Sequence, residues 1–463
     1  MGSPVNATLL VDRLAGLVGA RATLARDVRE QHGRSEAYHT WLPPDVVVFP
    51  ETTQEVVEIV RLCASLHIPI VPFGAGTSLE GNTAAVAGGV SIDFSRMNKV
   101  LALHESDMDV VVQPGITRKQ LNAHLRGTGL FFPIDPGADA SIGGMTSTRA
   151  SGTMAVRYGT MKDNVMALEV VLSDGRVIRT SKRARKSAAG YDLTRLFVGA
   201  EGTLGVITEV TLKLHPLPQA MSAAVCSFDN LRDAVDTAIA VIQSAVPVAR
   251  IELVDDVMMR GINAYSKLGY REAPTLFFEF HGSDAGVAEH AESAQVIAAD
   301  HNGRGFEWAQ AAEQRSRLWH ARDNTLYAGM GLRPGARAMI TDVCVPISRL
   351  AECLTETRRD ADASGLIAPI VGHVGDGNFH MLILVDPAEA EEIARAKALH
   401  ERMVARAITM EGTSTGEHGI GLGKIRFLAD ELGEAVDVMR TIKAALDPQG
   451  LMNPEKIFAG ARA

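Results

Sequence analysis

The sequence predicts an α+β protein of two domains, the second inserted into the first. Three observations carry that reading. From residue 45 onward, short apolar runs alternate with stretches of helical periodicity. Near residue 220, short strands and Gly-rich loops give way to strands alternating with long Ala-rich helices. The last 50 residues then return to a Gly-rich loop, a helix and an extended tail. The expected boundaries are 1–219 for the first domain, 220–413 for the inserted one, and 414–463 for a C-terminal segment that rejoins the first.

The first 40 residues read as an amphipathic helical lead-in. Asp45–Pro50 (DVVVFP) is a short buried strand. Thr52, with Glu55 three residues on, marks a helix start, because each side chain can satisfy a backbone N–H that the first turn leaves free. Val56, Val57, Ile59, Val60, Cys63 and Ala64 follow at helical spacing. Pro69 ends that helix, and the strand Ile70–Phe73 runs into a Gly-rich loop. Further strands are expected at Val90–Phe94, Val110–Gln113 and Met166–Leu172, the last turning at Ser173-Asp174-Gly175 into Arg176–Thr180. After Val206–His215, PLPQ (216–219) reads as a linker. The inserted domain is expected to hold strands at Thr275–His281 and Ala338–Val345, with helices at Ala285–Ala299 and Ser348–Ala363. One helix from about Ala429 to Leu446 follows in the C-terminal segment.

Length alone suggests about three domains at ~150 residues each, a count that the pattern reduces to two. Hydrophobic residues are 46% and charged residues 22%, with 43 Gly and 19 Pro, which excludes disorder, collagen and a coiled coil. The net charge of −9 and the 5% aromatic content make nucleic acid a poor partner. Cys63, Cys226, Cys344 and Cys353 form no CxxC pair and suit a reducing compartment as buried thiols. The N-terminal residues lack the basic flank and cleavage signal of an export peptide, and Asn6 stands where myristoylation needs Ser or Thr. No apolar run is long enough for a membrane span. The expected location is the cytoplasm, either free or at the face of a membrane.

Three small-residue loops lie in the first half. The first is Gly74-Ala75-Gly76-Thr77-Ser78-Leu79-Glu80-Gly81, which follows Pro72 and Phe73. Alone it is as readily a tight turn as a phosphate cradle. It lacks the Rossmann G-x-G-x-x-G spacing, and the segment Gly419–Lys424 fails the P-loop spacing. The second runs from Asp135-Pro136-Gly137 through Ser141-Ile142-Gly143-Gly144 and Ser151-Gly152 to Tyr158-Gly159. The third is Gly199-Ala200-Glu201-Gly202-Thr203-Leu204-Gly205-Val206-Ile207. Three such loops point to a large planar ligand with a pyrophosphate, because bare backbone must approach it at several places.

A second constellation is Gly372-His373-Val374-Gly375-Asp376-Gly377-Asn378-Phe379-His380, joined later by Gly416-Glu417-His418-Gly419. Two imidazoles and a carboxylate are a usual first shell for a divalent catalytic metal. The segment Leu318-Trp319-His320-Ala321-Arg322 holds a cation that spacing alone would leave on the surface. The run Arg179, Lys182, Arg183, Arg185 and Lys186 reads as a solvated loop, with docking of an anionic electron acceptor as the alternative.

PFGAGTSLEG, the DPGADASIGGM…ASGT…RYGT block and FVGAEGTLGVIT resemble the FAD-binding domain of the vanillyl-alcohol oxidase superfamily. Within it the chain resembles the FAD-linked D-2-hydroxyacid dehydrogenases, the group of cytochrome-type D-lactate dehydrogenases and the glycolate oxidase flavin subunit. The likeness spans residues 44 to 458. It implies a two-subdomain FAD-binding domain, an α+β ferredoxin-like cap domain and a C-terminal helical segment. It also implies noncovalent FAD, since Thr77 and Ser78 stand where some relatives carry a flavin-linked His. The implied cofactor residues are Pro72, the loop Gly74 to Leu79, Pro136, Gly137, Ser141, Gly143, Gly144, Ser151, Gly152, Glu201, Gly202, Gly205, Ile207 and Asn453. Arg149 departs from the pattern, because relatives usually place Gly there.

The resemblance further implies zinc or manganese on His373, His380 and Glu417, with His418 as base, Asn378 at the substrate and Arg322 as its carboxylate anchor. Ile340 replaces a Lys that holds a second carboxylate in hydroxyglutarate enzymes, which favours a monocarboxylate such as D-lactate. Electrons would pass to a quinone, cytochrome or other carrier, and a homodimer is compatible with the sequence. Two other readings stay open. A metal-dependent hydrolase explains the His/Glu cluster but not the loops. A flavoprotein subunit active only in a complex explains the loops but not the whole cluster.

Overall fold

Thr52 caps the helix Thr53–Ser65 as its spacing to Glu55 requires: its hydroxyl accepts from the Glu55 N–H at 3.2 Å. The computed structural model describes residues 7–34, 39 and 41–460. Part of the N-terminal lead-in, and Asn6 with it, lies outside those residues. Within them the lead-in holds the helices Ala7–Val18 and Arg26–Gly33.

By contacts the chain divides into two units. The first is Met1–Ser151, Gly159–Leu217 and Glu417–Ala463; the second is Gly152–Tyr158 and Pro218–Gly416. Among its described residues the first unit has two larger sheets and a two-stranded pair, Leu130–Phe131 with His215–Pro216. In one, Val46–Val48 and Ile70–Phe73 lie parallel on either side of Val90–Asp93, and Ala22–Thr23 pairs antiparallel with Val46–Val48. Val46, Val47 and Val48 are all fully buried, as strands covered on both faces should be. The helix Thr53–Ser65 places Val56, Val57, Ile59, Val60 and Cys63 in the same core, and each such burial contributes about 1.5–3 kcal/mol. The other sheet is antiparallel, in the order Val100–His104, Asp109–Val112, Val206–Lys213, Val165–Val171, Val177–Arg179.

The C-terminal tail is tied into this unit by the backbone. Ile70 N–H donates to Leu451 O and Asn453 N–H donates to Ile70 O, both at 2.8 Å. The buried Lys443 ammonium reaches Asp447 Oδ2 at 2.5 Å, Thr203 O at 2.6 Å and Met452 O at 2.9 Å.

The second unit is an eight-stranded antiparallel sheet. Ala220–Ser227, Val248–Val254, Thr275–Gly282 and Arg304–Ala309 lie in the order fourth, first, third, second. The helices Leu231–Gln243 and Asp284–Asp300 follow the first and third of them. That is the β-α-β-β-α-β ferredoxin-like arrangement. The sheet continues through Ile370–His373 and Asn378–Val385 to Arg337–Ile340.

Three local expectations need correction. Ser141 to Thr148 is not a loop: Ile142–Thr148 is helical, capped by the Ser141 hydroxyl, which accepts from Gly144 N–H at 3.3 Å. The glycines serve close packing there. The C-terminal helix is two, Ile425–Leu432 and Ala435–Leu446, because the chain breaks at Gly433 with a positive φ. The strand expected at Ala338–Val345 is interrupted between Ile340 and Val343, where Thr341 and Asp342 turn their polar atoms to the neighbouring hairpin.

Arg149 has a physical account. It sits at the end of Ile142–Thr148 with φ 57°, a left-handed conformation for which Gly is the default. Its guanidinium donates to Val198 O through Nε at 3.3 Å and Nη2 at 3.1 Å. The departure therefore supplies bonds to the Val198–Gly199 turn.

Candidate active site

The hairpin Ile370–His373/Asn378–Val385 carries the first group of site residues. Its register pairs His373 with Asn378 and Val371 with His380. Since side chains alternate along a strand, His373, Asn378 and His380 share one face, with the two histidines diagonal to each other. Their ring centroids are 5.3 Å apart at 80°. Gly377 makes the turn: its φ is +82°, and a side chain would run into the Val345 carbonyl. All three residues are buried.

Each imidazole is oriented through Nδ1. That of His380 lies 3.1 Å from the Thr341 carbonyl, which can only accept, so Nδ1 carries the proton. That of His373 lies 2.7 and 3.0 Å from the two oxygens of Glu252. With Nδ1 so engaged, Nε2 is the nitrogen each ring would offer to a metal. His373 and His380 belong to the second unit, and Glu417 is the first residue of the segment that returns to the first. Two imidazole nitrogens and a carboxylate oxygen suit zinc or manganese. The Asn378 amide is held by Asp342 Oδ1 at 2.7 Å and Val343 O at 2.8 Å, and Asp342 also accepts from the Thr415 hydroxyl at 2.8 Å.

Arg322 is 7% exposed, at the end of the helix Ala312–Asp323. A lone cation at that depth is strongly unfavourable. Glu252, itself fully buried, accepts from Nη2 at 2.5 Å, and the Thr325 hydroxyl accepts from Nη1 at 3.1 Å. Nε is buried with no hydrogen-bond partner, a donor still available to an anion. Sequence reasoning missed Glu252. The available signal was a single acid within the apolar strand Val248–Val254 (VARIELV).

In the first unit, the loop after Ile70–Phe73 meets Ser141: a side chain on Gly74 would strike its hydroxyl, so the two small-residue segments pack backbone to side chain. Gly137 borders open space. Ser78 Oγ and Asn453 Oδ1 are buried without a hydrogen-bond partner. The same Asn453 donates to Asn82 O and Glu201 O. Bare backbone beside orphaned hydroxyl and carbonyl groups fits a polar cofactor such as FAD. Of the expected cofactor residues, Gly152 belongs to the second unit and the other eighteen to the first.

Glu201 turns its carboxylate onto neighbouring groups of its own unit. Its carboxylate accepts from Asn82 Nδ2 at 2.6 Å, Ile420 N–H at 2.7 Å and Gly421 N–H at 2.8 Å, and its own N–H and carbonyl bond to Ser147 and Asn453. It is a clamp on the segment after His418, and burial pushes its pKa up to about 7. Glu80 holds the same segment: Leu422 N–H donates to its carbonyl at 2.7 Å, and Lys424 Nζ lies 3.3 Å from its carboxylate. His418 lies 4.0 Å from Glu80 Oε1 and 3.8 Å from Glu417 Oε1.

Burial pushes the Cys63 and Cys344 thiols up to about 12 and those of Cys226 and Cys353 to about 11, so none is an activated nucleophile. Among the described residues no helix is long and apolar enough to cross a membrane.

Comparison with known proteins bears on the same segments. Residues 44–181 match the family model "FAD binding domain", and residues 217–457 match "FAD linked oxidases, C-terminal domain". "Probable D-lactate dehydrogenase, mitochondrial" of Danio rerio is 53% identical, over 93% of this chain and 88% of that one. "D-lactate dehydrogenase [cytochrome], mitochondrial" of Arabidopsis thaliana is 49% identical, over 97% and 80%. Among solved structures, p-cresol methylhydroxylase with substrate bound superposes with a TM-score of 0.81 at 18% identity, over 98% of both chains. That last likeness concerns the fold alone.

The relatives overturn the expected cytoplasmic location, since both are mitochondrial by name. Free thiols, and the absence among the described residues of a helix long and apolar enough to cross a membrane, carry no address. The family models, which together cover most of the sequence, and the near-full-length relatives agree: the chain belongs to the FAD-linked oxidases, with the α+β fold of the vanillyl-alcohol oxidase superfamily.

Proposed function

We propose that this protein is an FAD-dependent D-lactate dehydrogenase that delivers electrons to a cytochrome. The observation that carries the reading is a buried Arg322 with an unsatisfied Nε–H in the unit that also presents His373, Asn378 and His380 on one strand face. A small hydroxyacid offers the matching groups: a carboxylate for the guanidinium and a hydroxyl for the His-lined face. The near-full-length relatives named D-lactate dehydrogenase support the same substrate.

Bound FAD supplies a two-electron acceptor, and a divalent cation on His373, His380 and Glu417 supplies the positive charge that lowers the pKa of a 2-hydroxyl. The protein's own groups do the rest. Arg322 binds the carboxylate and fixes which end of the substrate enters. Asn378, its amide nitrogen committed to Asp342 and Val343, offers its carbonyl oxygen to a hydroxyl proton. His418 accepts the hydroxyl proton on an imidazole nitrogen, acting as the general base. Ile340 packs against the apolar cluster of Val254, Met258 and Leu382 and supplies no cation for a second carboxylate. Pro72, the Gly74–Leu79 loop, Pro136, Gly137, Ser141, Gly143, Gly144, Ser151, Gly152, Glu201, Gly202, Gly205, Ile207 and Asn453 remain the residues we assign to FAD.

The test is turnover of the FAD-loaded protein with ferricytochrome c as acceptor. D-lactate should reduce two ferricytochromes per molecule oxidised, and L-lactate none. Equal rates with both enantiomers, or none with D-lactate, would overturn the proposal.

A further inference from the structure

We propose that Glu252 is a positioning residue, one carboxylate that sets both the imidazole of His373 and the guanidinium of Arg322. The inference rests on the site reading above and adds to it a residue that neither touches the substrate nor ligates the metal. The sheet puts Glu252 in place. Leu253 pairs with Gly372 and Val254 with Val371, so the same register carries Glu252 opposite His373. Its side chain is 1% exposed and accepts three hydrogen bonds, two from one imidazole nitrogen and one from Arg322.

Two consequences follow from charge and geometry. The Glu252 carboxylate accepts the Nδ1 proton of His373, which fixes the ring so that Nε2 is the nitrogen turned to the site. A carboxylate behind a ligating histidine acts in this way on metal affinity. The same negative charge neutralises Arg322 at a depth where an unpaired guanidinium could not stay. Glu252 and Thr325 each take one N–H of a terminal nitrogen while Nε has no partner, so the guanidinium is held with donors ready instead of reorienting when a carboxylate arrives. A glutamine here would keep the shape and lose the charge that both partners require.

The experiment uses full-length protein loaded with FAD and stripped of metal with a chelator. Zinc affinity is measured against a chromophoric chelator for the wild type and for Glu252→Gln, with flavin content and Tm as controls. We expect zinc binding about 10–100-fold weaker in the variant at unchanged flavin content. The same zinc affinity in both proteins would overturn the role of Glu252 while leaving the metal site standing. A wild type that takes up no zinc would overturn the metal reading, and this inference with it. Should the variant fail to fold, the wild type decides: its 15N histidine spectrum should show His373 protonated at Nδ1 in the metal-free state, and protonation at Nε2 would contradict the proposal.

Discussion

The side-chain amide of Asn378 donates to Oδ1 of Asp342 at 2.7 Å, and the other oxygen of that carboxylate accepts from Thr415 at 2.8 Å. One fully buried acid thus joins the hairpin that carries His373 and His380 to the segment that precedes Gly416. Asp342→Ala would leave the Thr415 hydroxyl and one amide proton of Asn378 unpaired. A loss of about 2 kcal/mol is expected, seen as a fall of about 4–8 °C in Tm for a unit of this size. Thermal denaturation checks it, and an unchanged Tm would contradict the bond network.

His380→Ala removes one of the proposed ligands without touching the FAD loops. Flavin absorbance should stay at the wild-type level while bound metal drops to background by elemental analysis. Full metal occupancy in the variant would move the site elsewhere.

For Arg322→Lys, the planar fork becomes a point charge, and the bonds to Glu252 and Thr325 cannot both be kept. The expected fall in kcat/KM for D-lactate is about 100-fold, equal to ~3 kcal/mol, with most of it in KM. Steady-state kinetics at fixed flavin content measure it. An unchanged kcat/KM would place the carboxylate anchor on another residue.

Glu201 predicts a pH dependence. Burial, the largest influence, raises its pKa from 4.5 to about 7, against the amides of Ile420 and Gly421 and the side chain of Asn82. The folded protein therefore holds a proton that the unfolded chain has already released between those values. Stability should fall as pH rises through that window, by about 3 kcal/mol for this group, and level off above it. Denaturant midpoints from pH 4.5 to 8 for wild type and Glu201→Gln give the comparison. The variant should lose this part of the slope, and identical profiles would show that Glu201 does not titrate there.

Much of the site was legible because its signals are local. The strand–loop order around Gly74 and the glycines that turn the His373–His380 hairpin each lie within ten residues. What stayed hidden depends on distant pairing. Glu252 takes its meaning from His373 and Arg322, 121 and 70 residues away, and no periodicity records such a partner. Asp342 interrupts a strand for the same reason: its partners Asn378 and Thr415 lie 36 and 73 residues on. The helix Ile142–Thr148 was obscured by its glycines, which weaken helical propensity but let it pack against Pro114, where a side chain on Gly143 would clash.

The central claim, oxidation of D-lactate by a flavin held in this chain, is tested most directly by anaerobic absorbance spectroscopy of the FAD-loaded protein. Addition of one equivalent of D-lactate should bleach the flavin band near ~450 nm within the enzyme's turnover time, whereas L-lactate leaves it intact. A band that survives excess D-lactate, or bleaches equally with both enantiomers, would contradict the account.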